Sequence, residues 1–302
     1  MSRSDQSAAG TLQVRAPAKI NLCLEVLGRR PDGYHEIRTI MQAVSLYDEL
    51  TFRTREDGRV VLRSEAEGLP PAEQNLVVRA AQVLQEATGS CLGAEITLQK
   101  RIPIGAGLGG GSSDCAAALQ GLNRLWALGL GREALAEMAA QLGSDVAFFL
   151  WGGAALCEGR GERVTPLSVG GTFHYVLVMP RISLSTAQVY GIAEGCLTSP
   201  ECDCNIVRVR KALATGDART LGVSLYNMLE GPAVGLHPDV RHIAERLRFM
   251  CCAGDGLGVS LSGSGSSFFA VFPGSEQARQ SSIKLEEKLD VPARAVEGLP
   301  QM

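Results

Sequence analysis

Pro103-Ile104-Gly105-Ala106-Gly107-Leu108-Gly109-Gly110-Gly111-Ser112-Ser113 is the stretch on which the reading of this chain turns. Five glycines fall within seven residues, between a predicted strand, Ala94–Arg101, and a predicted helix, Ser112–Leu128. Glycine lets backbone amides approach an anion with no Cβ in the way. Ser112 or Ser113 is placed to cap the helix, whose first amides and dipole would then face phosphate groups. The alternative, a loose surface loop, would place the residue with the largest backbone entropy loss five times where nothing needs it.

The stretch is not a Walker loop, which requires lysine before the final Ser/Thr; here the residues are Gly111-Ser112-Ser113. Gly105-x-Gly107-x-x-Gly110 matches the dinucleotide fingerprint literally. That fingerprint needs a return strand ending in an acidic residue about twenty residues on. This chain instead runs into a second predicted helix, Arg132–Leu142.

Working outward, the N-terminal side is β-rich. Leu12–Ala16, Lys19–Leu27, Arg38–Ser45, Glu49–Thr54 and Arg59–Arg63 read as strands, with Ile20, Leu22, Leu24 and Val26 on one face and Asp32-Gly33 as a turn. Asn75–Ala87 reads as a helix. Pro166 and Gly170-Gly171 suggest a crossing into a second half. There, strands are predicted at Tyr175–Met179, Gly258–Ser262, Ser267–Phe272 and near Pro292–Val296, with helices near Thr186–Glu194, Ala218–Met228, Val240–Phe249 and Glu276–Leu289. The predicted fold class is α+β in two lobes.

Of the 302 residues, 45% are hydrophobic and 20% charged, as in a soluble globular protein. A formal charge of −3 gives no basic excess to displace counterions from a nucleic acid. Arg29-Arg30 and Lys100-Arg101 are short basic clusters that read as solvated surface, though a phosphate-rich small ligand would need a few such cations. No segment reaches the ~18 apolar residues of a membrane span, and Met1 to Gly10 reads as a disordered tail rather than a signal peptide. A cytoplasmic protein, monomer or homodimer, with no nucleic-acid or membrane partner, is expected. The nine cysteines include no CxxC pair and read as reduced thiols. Cys202-Asp203-Cys204 with Cys251-Cys252 is the one alternative metal grouping.

Pro-x-x-x-Gly-Leu-x-x-x-Ser-Ser resembles the ATP loop of the galactokinase, homoserine, mevalonate and phosphomevalonate (GHMP) kinases. Two further segments agree, in the family's order: Ala16-Pro17-Ala18-Lys19-Ile20-Asn21-Leu22 and Leu261-Ser262-Gly263-Ser264-Gly265-Ser266. Beyond the tail at 1–10, the resemblance implies an N-terminal ATP-binding domain over 11–165 and a C-terminal, substrate-binding domain over 166–302. It implies transfer of the terminal phosphate of ATP, with Mg2+, to an alcohol. Four segments narrow the branch: Gly109-Gly110-Gly111-Ser112-Ser113; Gly28-Arg29-Arg30-Pro31-Asp32-Gly33-Tyr34-His35; Asn75-Leu76-Val77-Val78-Arg79-Ala80-Ala81; and Gly143-Ser144-Asp145-Val146-Ala147-Phe148-Phe149. They resemble the branch that phosphorylates a cytidine diphosphate conjugate of a methylerythritol in the non-mevalonate isoprenoid route. Homoserine- or mevalonate-type kinases, diphosphomevalonate decarboxylase and a catalytically silent ligand sensor of the same fold are the alternatives.

By resemblance, Asp145 is the base that takes the proton of the acceptor hydroxyl, and Lys19 the cation beside it. Read alone, Lys19 is also a strand-end lysine and Asp145 a helix N-cap. Residues Pro103, Ile104, Gly105, Ala106, Gly107, Leu108, Gly109, Gly110, Gly111, Ser112 and Ser113 would hold ATP. Asn75 would either recognise adenine or cap its helix. Asn21, Gly263 and Ser264 are expected on the substrate. Tyr34 and His35 would hold the cytosine end, or His35 would flank a hairpin. Tyr190, with Thr186 nearby, would stack the base, or be a buried helix tyrosine. Ala106, Cys115 and Met228 stand where the family has glycine, alanine and aspartate.

Overall fold

The structure is a computed structural model that describes residues 11–196 and 204–301. The expected tail at 1–10, and Cys202 with Asp203 of the candidate metal grouping, lie outside the described residues. Two compact units are woven from the chain. The first holds the described residues up to Ala18, Leu46–Ile104 and Gly110–Leu150; the second holds Lys19–Ser45, Gly105–Gly109 and the described residues from Trp151 onward.

Strands β1 (Thr11–Arg29) and β2 (His35–Arg55) run through both units. Each is one strand where two short ones were expected. Pro17 removes only one donor from β1, and the buried Asp48 in β2 is paired with Lys100. From Ala16 to Val26 every residue of β1 is buried. The face opposite Ile20, Leu22, Leu24 and Val26 therefore hides Lys19, Asn21, Cys23 and Glu25 from water. Lys19 and Asn21, two residues apart, share that face by the period of a strand.

In the first unit β4 (Gly93–Gln99) pairs antiparallel with the C-terminal half of β2 and parallel with β3 (Val60–Arg63). α1 (Leu76–Thr88) packs on this sheet and against α2 (Gly110–Leu125), and α3 (Arg132–Leu142) packs on both helices, with the short α4 (Val146–Trp151) after them. Gly121 of α2 is a packing glycine: a Cβ there would stand 2.7 Å from the Phe52 ring. α2 starts at Gly110, two residues before the predicted helix. Ser112 and Ser113 thus sit inside its first turn and are not its N-cap.

In the second unit β5 (Ala154–Gly159) pairs with the N-terminal half of β2 and with β6 (Arg163–Leu167). Neither strand was expected; Pro166, taken as a crossing, lies in β6, whose recorded pairing is with β5 alone. The sequence-level cut at 165/166 falls inside β6. A second sheet, order β11-β7-β10-β9, is built from β7 (His174–Val178), β9 (Gly258–Leu261), β10 (Phe268–Phe272) and β11 (Ala293–Glu297). Its core includes Val176, Val178, Phe268, Ala270 and Leu261 with α5 (Thr186–Ala193), α8 (Glu230–Leu236), α9 (Pro238–Cys252) and α10 (Ser275–Leu289). Between them lie α6 (Cys204–Thr215) and α7 (Ala218–Val223), then β8 (Tyr226–Asn227), parallel to β1. The predicted helix Ala218–Met228 is thus corrected: it stops at Val223, because Asn227 and Met228 are bonded to β1 and the glycine turn.

Candidate active site

In the second unit the first half of the glycine loop is fastened by its carbonyls. Leu108 O accepts from Lys19 N at 2.9 Å, Ala106 O from Ser267 N at 3.1 Å, and Gly107 O from the Ser262 hydroxyl at 2.9 Å. Ala106 and Leu108 turn their side chains into the core. The amides of Gly107, Leu108 and Gly109 donate to no acceptor among the described residues, which is the state an anion site requires. Gly105, Gly107 and Gly109 all have positive φ. At Gly107 a Cβ would also lie 2.1 Å from Ser262 O, so no side chain fits there. Ala106 in place of a family glycine is accommodated by burial.

Asn21 joins this loop to the third motif. Its Oδ1 accepts from Lys19 Nζ at 2.6 Å and from Gly263 N at 2.8 Å, and its Nδ2 donates to Thr39 Oγ1 at 2.9 Å. Gly263 has φ +56°, and a Cβ there would lie 3.2 Å from Lys19 Nζ. Asn227 holds the other side of that turn, donating to Leu261 O and Gly263 O at 2.8 Å each. Met228, which replaces a family aspartate, is part of the same brace: its N donates to Leu24 O and its Sδ accepts from Val26 N. Lys19, Asn21, Gly107, Leu108, Ser262 and Gly263 thus form one cluster.

The first unit carries the other half of the loop. Gly110, Gly111, Ser112 and Ser113 form the first turn of α2, whose amides have no partner inside the helix. Gly143, at the start of Gly143-Ser144-Asp145, lies against this turn, with Ser112 Oγ 4.0 Å from where its Cβ would be. Asp145 is half-buried immediately before α4. Lys19 and Asp145 belong to different units. Asn75 caps α1 through Oδ1, which accepts from Val77 N at 3.0 Å; one of its two expected roles is therefore filled.

Lys100 departs from its expected place on the surface. It is buried, with its ammonium between the Asp48 carboxylate and Asp114 Oδ2, the latter at 2.7 Å. Asp48 also accepts from the amides of Arg101 and Ile102, ahead of the loop, while Asp114 stands in α2, beyond it. The network therefore clamps both ends of the glycine stretch. Burial, with the Asp48 carboxylate adding to it and Lys100 opposing, pushes the Asp114 carboxyl up to about 7. Arg101 behaves as expected, exposed and paired with Glu49.

The residues that sequence reading expects at the cytosine end lie in the second unit. The His35 and Tyr190 rings are 4.9 Å apart, tilted by 32°. Tyr190 is half-buried on α5, partly packed on the core, so both of its expected roles are structurally available. Tyr34 is exposed, with the Arg160 guanidinium 4.8 Å above its ring. Thr186 Oγ1 and Ser264 Oγ are 2.9 Å apart, tying α5 to the glycine turn. Sequence reading missed Thr39, Asn227, Arg160, Glu194 and the Asp48–Lys100–Asp114 network. Lys100 reads as surface, and Thr39, Glu194 and Asn227 fall inside predicted elements with no role given; tertiary contacts bring all of them in. Among the described residues no three His, Cys, Asp or Glu side chains gather as a metal cage. Cys23, Cys115, Cys157 and Cys251 are buried thiols outside any disulfide, and burial raises Cys251 to about 12.

The family described as GHMP kinases N terminal domain matches residues 75–153. The chain is 45% identical over 266 residues to 4-diphosphocytidyl-2-C-methyl-D-erythritol kinase of Symbiobacterium thermophilum, covering 88% of this chain and 92% of the relative. The crystal structure of a 4-(cytidine 5'-diphospho)-2C-methyl-D-erythritol kinase superposes with a TM-score of 0.78 at 36% identity, covering 95% of this chain and 100% of the other. Homoserine kinase from Cytophaga hutchinsonii shares the fold, with a TM-score of 0.76 at 22% identity over 99% of this chain and 98% of that one. The two-lobed α+β fold, the three motifs and these likenesses agree: the chain belongs to the GHMP kinases, within the family of the 4-diphosphocytidyl-2-C-methyl-D-erythritol kinases.

Proposed function

We propose that this kinase transfers the terminal phosphate of ATP to the 2-hydroxyl of 4-diphosphocytidyl-2-C-methyl-D-erythritol, in the non-mevalonate isoprenoid route. The observation that carries the acceptor assignment is the His35–Tyr190 ring pair, 4.9 Å apart, in the unit that also holds Lys19 and the first half of the loop. A flat base is worth about 1–3 kcal/mol on an aromatic; mevalonate and homoserine offer no ring to stack. Names borne by relatives at 45% identity point the same way.

In this reading phosphoryl transfer depends on positioning and charge neutralisation. The amides of Gly107 to Gly109 and the first turn of α2 hold the phosphates of ATP. Lys19, oriented by Asn21 Oδ1 at 2.6 Å, stabilises the transferred oxygens, and Asp145 accepts the proton of the acceptor hydroxyl. Tyr34, His35, Thr186, Tyr190, Gly263 and Ser264 serve the acceptor, and Asn75 the adenine side. Mg2+ supplies charge neutralisation when bound. With no protein cage among the described residues, it would draw most of its ligands from phosphate oxygens and water. At the sequence level we keep the domain division 11–165 and 166–302. We also keep a cytoplasmic monomer or homodimer; no described helix is long and apolar enough to cross a membrane.

Steady-state ADP release with this acceptor, with mevalonate and with homoserine tests the assignment. Turnover is expected with the cytidine conjugate alone. A comparable rate with mevalonate or homoserine would remove the acceptor assignment and leave the kinase.

A further inference from the structure

Glu194 opens a short 3-10 turn directly after α5, one helical turn beyond Tyr190 and so on the same face. Its Oε1 lies 2.9 Å from His35 Nε2 and 3.7 Å from Arg29 Nε. A carboxylate has no proton to give, so the proton of this hydrogen bond sits on Nε2. The other ring nitrogen, Nδ1, makes no hydrogen bond to any described residue. It is the ring atom left for a ligand, and in a neutral imidazole protonated at Nε2 it is an acceptor.

We propose that Glu194 is a positioning residue for base recognition, which holds His35 as the Nε2–H tautomer so that Nδ1 accepts from the 4-amino group of cytosine and disfavours uracil. The proposal rests on the reading that the acceptor carries cytidine. Cytosine presents an amino donor at C4 and uracil an oxo acceptor. In the same pose uracil would therefore set one lone pair against another, with a polar group left unsatisfied. α5 would thus deliver both the stacking ring, Tyr190, and the carboxylate that decides which way round His35 reads the base edge. Without Glu194 the ring is free to carry its proton on either nitrogen.

Two measurements on the full chain test this. In two-bond 1H–15N spectra of 15N-histidine-labelled protein, with His35 assigned by its loss in His35→Ala, the parent ring should be the neutral Nε2–H tautomer. In kinetics, Glu194→Ala should lower the preference for the cytidine conjugate over its uridine counterpart in kcat/KM by about tenfold, the equivalent of ~1.4 kcal/mol. The change should enter through KM for the cytidine conjugate and leave KM for ATP as in the parent. A parent His35 that is an imidazolium or carries its proton on Nδ1 would overturn the proposal, and so would an undiminished preference in Glu194→Ala. If the parent phosphorylates neither conjugate, the function assignment itself fails. If it phosphorylates the cytidine conjugate and the variant discriminates as well as the parent, only the role of Glu194 falls. Should Glu194→Ala not fold, the parent spectrum alone decides.

Discussion

The side chains of Lys19 and Lys100 are both buried, yet the hydrogen bonds that orient their ammonium groups differ. Lys19 points its ammonium at the Asn21 amide, beside Gly263 and under a loop whose Gly107, Leu108 and Gly109 amides donate to none of the described residues. Lys100 lies between two carboxylates, Asp48 and Asp114, in a network that fixes the chain on either side of the glycines. The Asn21 contact sets an amide dipole on the first ammonium, whereas the second lies between opposite charges that hold each other. A lysine's chemistry is therefore set by what the fold gathers round it: Lys19 faces the phosphate loop, while Lys100 joins two segments 14 and 52 residues away from it.

The sharpest way to break this contrast is to remove each cation. Lys19→Ala should cut turnover by about a hundredfold or more with ATP affinity near parental, and Asp145→Asn should do the same. Single-turnover kinetics with calorimetric ATP titration would decide, and near-parental turnover in either variant would take that residue out of the mechanism. Lys100→Met should instead act on stability. It leaves two carboxylates buried without their cation, a loss of about 3–5 kcal/mol in denaturant unfolding. A loss no larger than that of an exposed ion pair, under ~1 kcal/mol, would contradict the clamp.

A subtler contrast lies in pH. Asp114 has a folded pKa of about 7 against an ordinary 3.8, raised chiefly by burial. Between those values the folded state binds more protons than the unfolded one. This carboxyl's contribution to stability is therefore greatest below pH 3.8, declines as pH rises to about 7, and is flat above. In Asp114→Asn that decline should vanish from the pH profile of unfolding free energy; an unchanged profile would place the titration elsewhere. The smallest effect is expected on the Lys19 side. Ser262→Ala removes the hydroxyl that donates to Gly107 O and should cost about 1 kcal/mol of stability.

What the sequence revealed follows from what is local. α3 was read with its observed bounds, because its apolar spacing and flanking glycines are contiguous. Lys19, Asn21 and Gly263 were found through motifs, and they do meet. β5 was missed since Gly153-Ala154-Ala155-Leu156-Cys157 is small-residue sequence with few β-branched or aromatic side chains; pairing with β2 makes it a strand. α6 was also missed, although Ile206, Val209 and Leu213 are all buried at helical spacing and carried a usable signal. Lys100 was misread because its two partners lie far off in sequence. The glycine loop was read as open throughout for phosphate. That holds for Gly111, which has nothing within 4 Å of an added Cβ. At Gly110 a Cβ would meet the Ile102 side chain at 3.0 Å and Lys100 Nζ at 3.1 Å, so there glycine serves packing.

Every residue role above depends on phosphorylation of a cytidine-bearing alcohol at the expense of ATP. It is tested most directly by 31P NMR of the purified protein with ATP, Mg2+ and 4-diphosphocytidyl-2-C-methyl-D-erythritol. One new phosphomonoester resonance is expected, growing in step with ADP while the diphosphate bridge of the acceptor stays intact. ADP accompanied only by inorganic phosphate, or the same phosphomonoester growth with mevalonate in place of the cytidine conjugate, would contradict it.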